Sequence, residues 1–142
     1  MKKLILIALY VPFSGIVAYW HTPSVSTNLA QVRSGNWPIL LERTINKADT
    51  FYSLQFRDEQ IIQDVVLDTM PFADLKQLKY FGEALTVLKT GHTGDIAKFK
   101  DYSIKRFNVR KDSASYILRY EWSLLNFRQP EADILINVIR GL

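Results

Sequence analysis

At 142 residues the chain has room for one domain with a proper core and not for two, and a hydrophobic share of 48% against 23% charged excludes long disorder. The formal net charge is +4, of which Lys2 and Lys3 supply two. The remaining 16 basic and 14 acidic residues leave +2, too slight an excess for binding driven by phosphate neutralisation, so nucleic acid is not an expected partner. The absence of cysteine rules out disulfides, thiolate metal sites, a cysteine nucleophile and a lipidated-cysteine anchor.

After the two lysines come 17 residues without charge, Leu4 to Trp20. As a retained single-pass anchor they span roughly 26 Å in a helix, just short of a ~30 Å hydrocarbon core. Tyr19 and Trp20 then sit at the far interface and the lysines on the cytoplasmic side. As a cleaved signal the stretch has its basic start and apolar core, but a poor cut site, because Ile16 lies two residues before Ala18. As a buried parallel strand, KKLILIALYV calls for a glycine-rich phosphate loop that does not follow. Export or membrane attachment is therefore expected: residues 1–20 form an apolar anchor or signal, and the protein faces the periplasm from the inner membrane or is released there after cleavage.

Residues 21–28 read as a polar linker and 29–142 as one domain. A short helix is expected from about Leu29 to Ser34, stopped by Gly35. A second starts at Asn36, with Trp37, Leu40, Leu41, Ile45 and Ala48 along one side. FYSLQFR (51–57) alternates as a strand. DEQIIQDVVLDTM reads as a helix from Asp58, because Ile61-Ile62 and Val65-Val66 recur four apart. The next helix has an Asp74-x-x-Gln77 cap, a stripe of Leu75, Leu78, Phe81, Leu85 and Leu88, and a stop at Gly91. A strand follows over 101–109 with a bulge near Lys105, then a long one from Tyr116 to Leu125. Pro130 opens a last helix with Glu131 and Asp133 in its first turn.

The sum is an α+β domain: an N-terminal apolar helix, then helices packed on a small, largely antiparallel sheet with a closing C-terminal helix. That order of elements resembles cone-shaped sheet folds of the nuclear-transport-factor type, which implies a cavity in the cone; no motif accompanies the likeness.

No catalytic set emerges. His92, in KTGHTGD with Asp95 three residues on, lacks an identifiable nucleophile and the further ligands of a metal site. GHTGD has two glycines but no phosphate-contacting lysine. Asp58, Glu59, Asp64, Asp68 and Asp74 match neither a calcium loop nor a catalytic carboxylate pair and read as a solvated face. Tyr116, Leu118, Tyr120, Trp122 and Leu124 alternate as a core-facing row. No metal, cofactor or enzymatic activity is expected.

Charge polarity is more informative. Residues 95–112 hold six cations (Lys98, Lys100, Lys105, Arg106, Arg110, Lys111) against three acids, or +3, whereas 58–83 hold six acids against two lysines, or −4. Opposed patches steer a domain onto a partner or onto copies of itself. The expectation is a non-catalytic accessory or assembly subunit of an envelope complex, meeting the membrane and other subunits, with those six cations as contact residues and a homo-oligomer possible. The alternative is a periplasmic domain holding a small ligand in its cavity.

Overall fold

The computed structural model describes residues 24–61, 63–110 and 113–142. Among them the order is β1 (Val25–Ser34), β2 (Trp37–Asn46), β3 (Asp49–Arg57), β4 (Leu67–Phe72), α1 (Leu75–Thr90), β5 (Ile96–Lys98), β6 (Tyr102–Arg110), β7 (Ser113–Tyr120), β8 (Ser123–Arg128) and α2 (Gln129–Arg140). The strands form two antiparallel meanders, β1-β2-β3-β4 and β5-β6-β7-β8, each followed by a helix. This overturns the expected α+β arrangement of leading helices on one sheet. The chain is strand-dominated, and it repeats a unit of four strands and a helix. The expected anchor or signal, Leu4 to Trp20, lies outside the described residues, and no helix among them is long and apolar enough to cross a membrane.

The helices expected at 29–34 and 36–48 are β1 and β2. Gly35-Asn36 serves as helix stop and helix cap in one reading and as a two-residue hairpin turn in the other. The hairpin prevails, with Ser34 paired to Trp37 and Gly35 at φ +58. Ile39 and Leu41 then point inward and are buried, while Leu40 faces outward and is half-buried. Tertiary burial of alternate residues outweighs the four-residue spacing of Leu41 and Ile45. The linker expected at 21–28 likewise gives way, from Val25 onward, to β1.

The helix expected from Asp58 is a loop running into β4, whose β-branched approach and Met70 and Phe72 complete the first sheet. The long strand from Tyr116 is broken at Glu121-Trp122 into β7 and β8. Glu121 adopts φ +50, a left-handed turn that neither glycine nor asparagine announces. The bulge of β6 lies between Asn108 and Arg110, not near Lys105. The 51–57 strand, α1 and α2 stand where expected. Asp74 caps α1 by accepting from the Gln77 amide at 2.8 Å, and Gln77 Oε1 accepts from the Ala73 amide at 3.0 Å.

The inner faces of both sheets and the buried sides of both helices share one core. α1 touches β3 and β4 of the first sheet and β5 and β6 of the second, while α2 touches β1, β7 and β8. The helices cross closely at Gly82, where a Cβ would stand 2.9 Å from Ile139 Cγ2. Each sheet edge is blunted. β1 carries an irregularity between Asn28 and Ala30, β4 carries Pro71, and β5 has three residues. Along β8 the 58–60 segment lies across the edge, with the Glu59 amide donating to the Leu124 carbonyl at 2.9 Å.

Candidate interaction surface

The burial of Ile104, Tyr116, Leu118, Leu125 and Phe127 against the helices fixes which residues of the second sheet face outward. Strand register arranges them in rows. One reads Lys98, Ser103, Arg119, Leu124; the next reads Ile96, Lys105, Ile117, Asn126; a third reads Phe107, Ser115, Arg128. Four cations thus stand among Ile96, Phe107, Ile117 and Leu124, and among the described residues no carboxylate occupies a position in these rows. Acids flank the face, Asp58 among them, whose Oδ1 accepts from the Leu124 amide at the β8 edge. Glu59 accepts from the Asn126 amide at 3.1 Å at its β8 edge, and Glu131 pairs with Arg128 Nη2 at 2.9 Å. Beside Phe107, Val109, Ser115 and Arg128, and bounded by the Ser34-Gly35 turn, the face dips into an open groove of about 680 Å³.

Of the six expected contact residues, Lys98 and Lys105 share this face, and Lys100 is exposed in the turn before β6. Arg106 lies on the other side of β6. Its Nη1 donates to the carbonyls of Leu88, Lys89 and Gly91 at 2.8, 2.7 and 2.6 Å, closing the C-terminus of α1. Arg110 pairs with Ser113 beyond the bulge, and Lys111 lies outside the described residues. Arg119 and Arg128 were missed. They are solitary cations in an apolar stretch, invisible to a search for runs, yet each is out of phase with the buried residues beside it, and that phase marks them as outward-facing.

The acidic run is mostly absorbed by the fold. Asp58 is buried and its Oδ1 accepts from the amides of Gln60 and Leu124 at 3.0 and 3.1 Å. The Ser34 hydroxyl donates to Glu59 Oε1 at 3.1 Å, and the Asn126 side-chain amide donates to Glu59 Oε2. The Ser123 hydroxyl donates to Asp68. Asp64 is exposed, and Asp74 caps α1.

His92 is 95% exposed at its side chain, with Nδ1 4.0 Å from Asp95 Oδ2, and Asp95 Oδ2 instead accepts from the His92 amide at 2.6 Å. GHTGD is therefore a turn, with Gly94 at φ +97. Among the described residues no three His, Asp or Glu side chains gather as metal ligands. Tyr116 is fully buried and Tyr120 half-buried, but Trp122, expected in the same core row, is 90% exposed at the β7–β8 turn, and Leu124 faces the opposite side. Tyr102 stacks on Phe99 at 4.3 Å between centroids, and burial pushes its phenol well above the usual range. The single curved sheet implied by the cone-shaped likeness is replaced by two separate sheets. Comparison with protein-family models, with curated proteins and with solved structures finds no match.

Proposed function

We propose that this domain is a non-catalytic accessory or assembly subunit of a membrane-associated envelope complex, and that it binds an acidic partner subunit through the outer face of its second sheet. The observation that carries this reading is the row arrangement of Lys98, Lys105, Arg119 and Arg128 among Ile96, Phe107, Ile117 and Leu124. Cations raise the rate of encounter with an acidic surface, and the apolar side chains between them supply the area that excludes water once docked. Attachment through Leu4–Trp20 belongs to the same reading: a tethered subunit meets its partner in the plane of the bilayer, where effective concentration is high.

The test is charge reversal in the full-length chain. With Lys98→Glu, Lys105→Glu and Arg119→Glu, co-purification of a stoichiometric partner from membranes should be lost, and capture by the parent chain should weaken as salt rises. Retention of the same partner by the triple variant would contradict the assignment. Far-UV circular dichroism and thermal unfolding of the variant establish that the fold persists, as expected for exposed positions.

A further inference from the structure

The end of the molecule formed by the β3–β4 loop and the β7–β8 turn is acidic and apolar at once. From Arg57 to Asp68, together with Glu121, it carries five carboxylates against one cation, or −4, and Lys100 and Asp101 at the same end cancel. Asp58 is buried, Glu59 and Asp68 are half-buried, and Asp64 and Glu121 are exposed. Burial, then the charges of Glu121 and Asp68, push the Tyr120 phenol up, so carboxylates from the two segments gather about one ring. With them stand Trp122, 90% exposed, and the exposed Val65, Val66 and Leu67. Hydrogen bonds join the two segments: Glu59 N donates to Leu124 O, Leu124 N to Asp58 Oδ1, and the Ser123 hydroxyl to Asp68. The cationic face begins two residues before Glu121, at Arg119, and its four cations likewise stand among apolar side chains.

We propose that the acidic end of one copy docks on the cationic face of a second copy, and the reverse, in a two-fold homodimer. The inference rests on the reading that this face is a docking surface, and it names the acidic partner as this same chain. Adjacent patches of opposite charge, both apolar, are complementary to themselves when turned about an axis along their border. Strand register gives the pairing. The two outer faces stack ~10 Å apart about a two-fold axis that lies in the contact plane and crosses the strands between Ile117 and Arg119. Each copy then sets its Ile117 row against the Arg119 row of the other. Lys98 meets Ile96, Lys105 meets Ser103 and Arg119 meets Ile117, so no two cations of the face stand directly opposed. The same axis carries Glu121 over Ser115 and Trp122 over Arg128 of the second copy. Glu131 holds Arg128 Nη2 at 2.9 Å, which fixes a guanidinium beneath the indole ring. The open groove of about 680 Å³ beside Phe107, Val109 and Arg128 receives that ring. The indole supplies roughly 200 Å² of the ~800 Å² that each side of a standard interface buries, and Val65, Val66 and Leu67 add to it.

The test uses two differently tagged copies of the full-length chain, co-expressed in one bacterium and extracted in mild detergent. Capture through one tag reports whether the other copy comes with it. Parent copies should co-purify, and less so as salt rises. Copies with a reversed acidic end (Asp64→Lys, Glu121→Lys) should not capture one another. Nor should copies with a reversed face (Lys98→Glu, Lys105→Glu, Arg119→Glu), which keep the Arg128–Glu131 pair. One copy of each kind together restores both contacts, so this mixed pair should co-purify as the parent does. Trp122→Ala should lose capture as well, and circular dichroism of every variant should match the parent's. Parent copies that do not co-purify overturn the proposal, as does capture that survives either reversal or a mixed pair that fails to associate. Where a different acidic subunit comes down with the parent, without a second copy, and is lost on face reversal, the homodimer falls and the docking reading stands.

Discussion

The Glu59 amide donates to the Leu124 carbonyl at 2.9 Å, and across that bond the loop leaving the first sheet lies against the last strand of the second. Asp58 extends the contact through the Leu124 amide and is itself buried. An acidic run that reads as a solvated face is largely the seam between the two halves.

Asp58 should therefore matter to stability. Asp58→Ala leaves the amides of Gln60 and Leu124 without their acceptor and is expected to cost about 1–3 kcal/mol. Asp58→Asn, which keeps one oxygen, should cost less. Urea midpoints at constant m-value measure both, and exposed Asp64→Ala should change stability by no more than about 0.5 kcal/mol.

Arg106 is predicted to act on α1. Its Nη1 serves three carbonyls at the helix end, so Arg106→Met should destabilise by about 1–3 kcal/mol, and Arg106→Lys should recover only part because an ammonium lacks the planar fork. Thermal unfolding beside Lys105→Met, on the opposite side of β6, separates this role from loss of charge.

Gly82→Ala should destabilise by about 1–3 kcal/mol, because the added methyl meets Ile139 Cγ2 at 2.9 Å. In an Ile139→Ala background the same change should cost clearly less, and a double-mutant cycle measures the coupling.

Asp133 joins the two helices by accepting from Lys89 Nζ of α1 at 2.8 Å, while Gln129 Nε2 of its own helix also donates to it at 2.8 Å, and the Lys89 hydrogen bond leads in holding its carboxyl below the usual carboxylate range. A depressed folded-state value gives stability that is present above the unfolded value, about 3.9, and is lost as pH falls through the folded one. The pair is partly exposed, so the loss is a few tenths of a kcal/mol. Stability measured from pH 6 to pH 2 should show a shallower acid decline in Asp133→Asn than in the parent chain.

The elements that were legible carry their own punctuation. α1 has its Asp74–Gln77 cap and Gly91 stop, α2 has Pro130 and Glu131, and Tyr52, Leu54 and Phe56 alternate without competition from a helical spacing. β1 and β2 are not legible in the sequence because Gly35-Asn36 suits a helix end as well as a hairpin, and only pairing across the sheet decides between them. Glu121 hid a turn because its left-handed backbone is imposed by the flanking strands. The surface was half legible. Lys98 and Lys105 fall in the basic run, but Arg106 in the same run turns to α1; Arg119 alternates outward even in one long strand, whereas Arg128 joins the face only once β7 and β8 are seen as separate strands.

The most direct test of the proposed docking face is site-specific photo-crosslinking in living cells from Ile117, at its centre, compared with Val87 on the outer side of α1. Ile117 should yield one discrete crosslinked partner subunit, lost when Lys98, Lys105 and Arg119 are reversed to glutamate, and Val87 should not capture that subunit. An absence of any crosslink from Ile117, or a product insensitive to charge reversal, would contradict the assignment of this face.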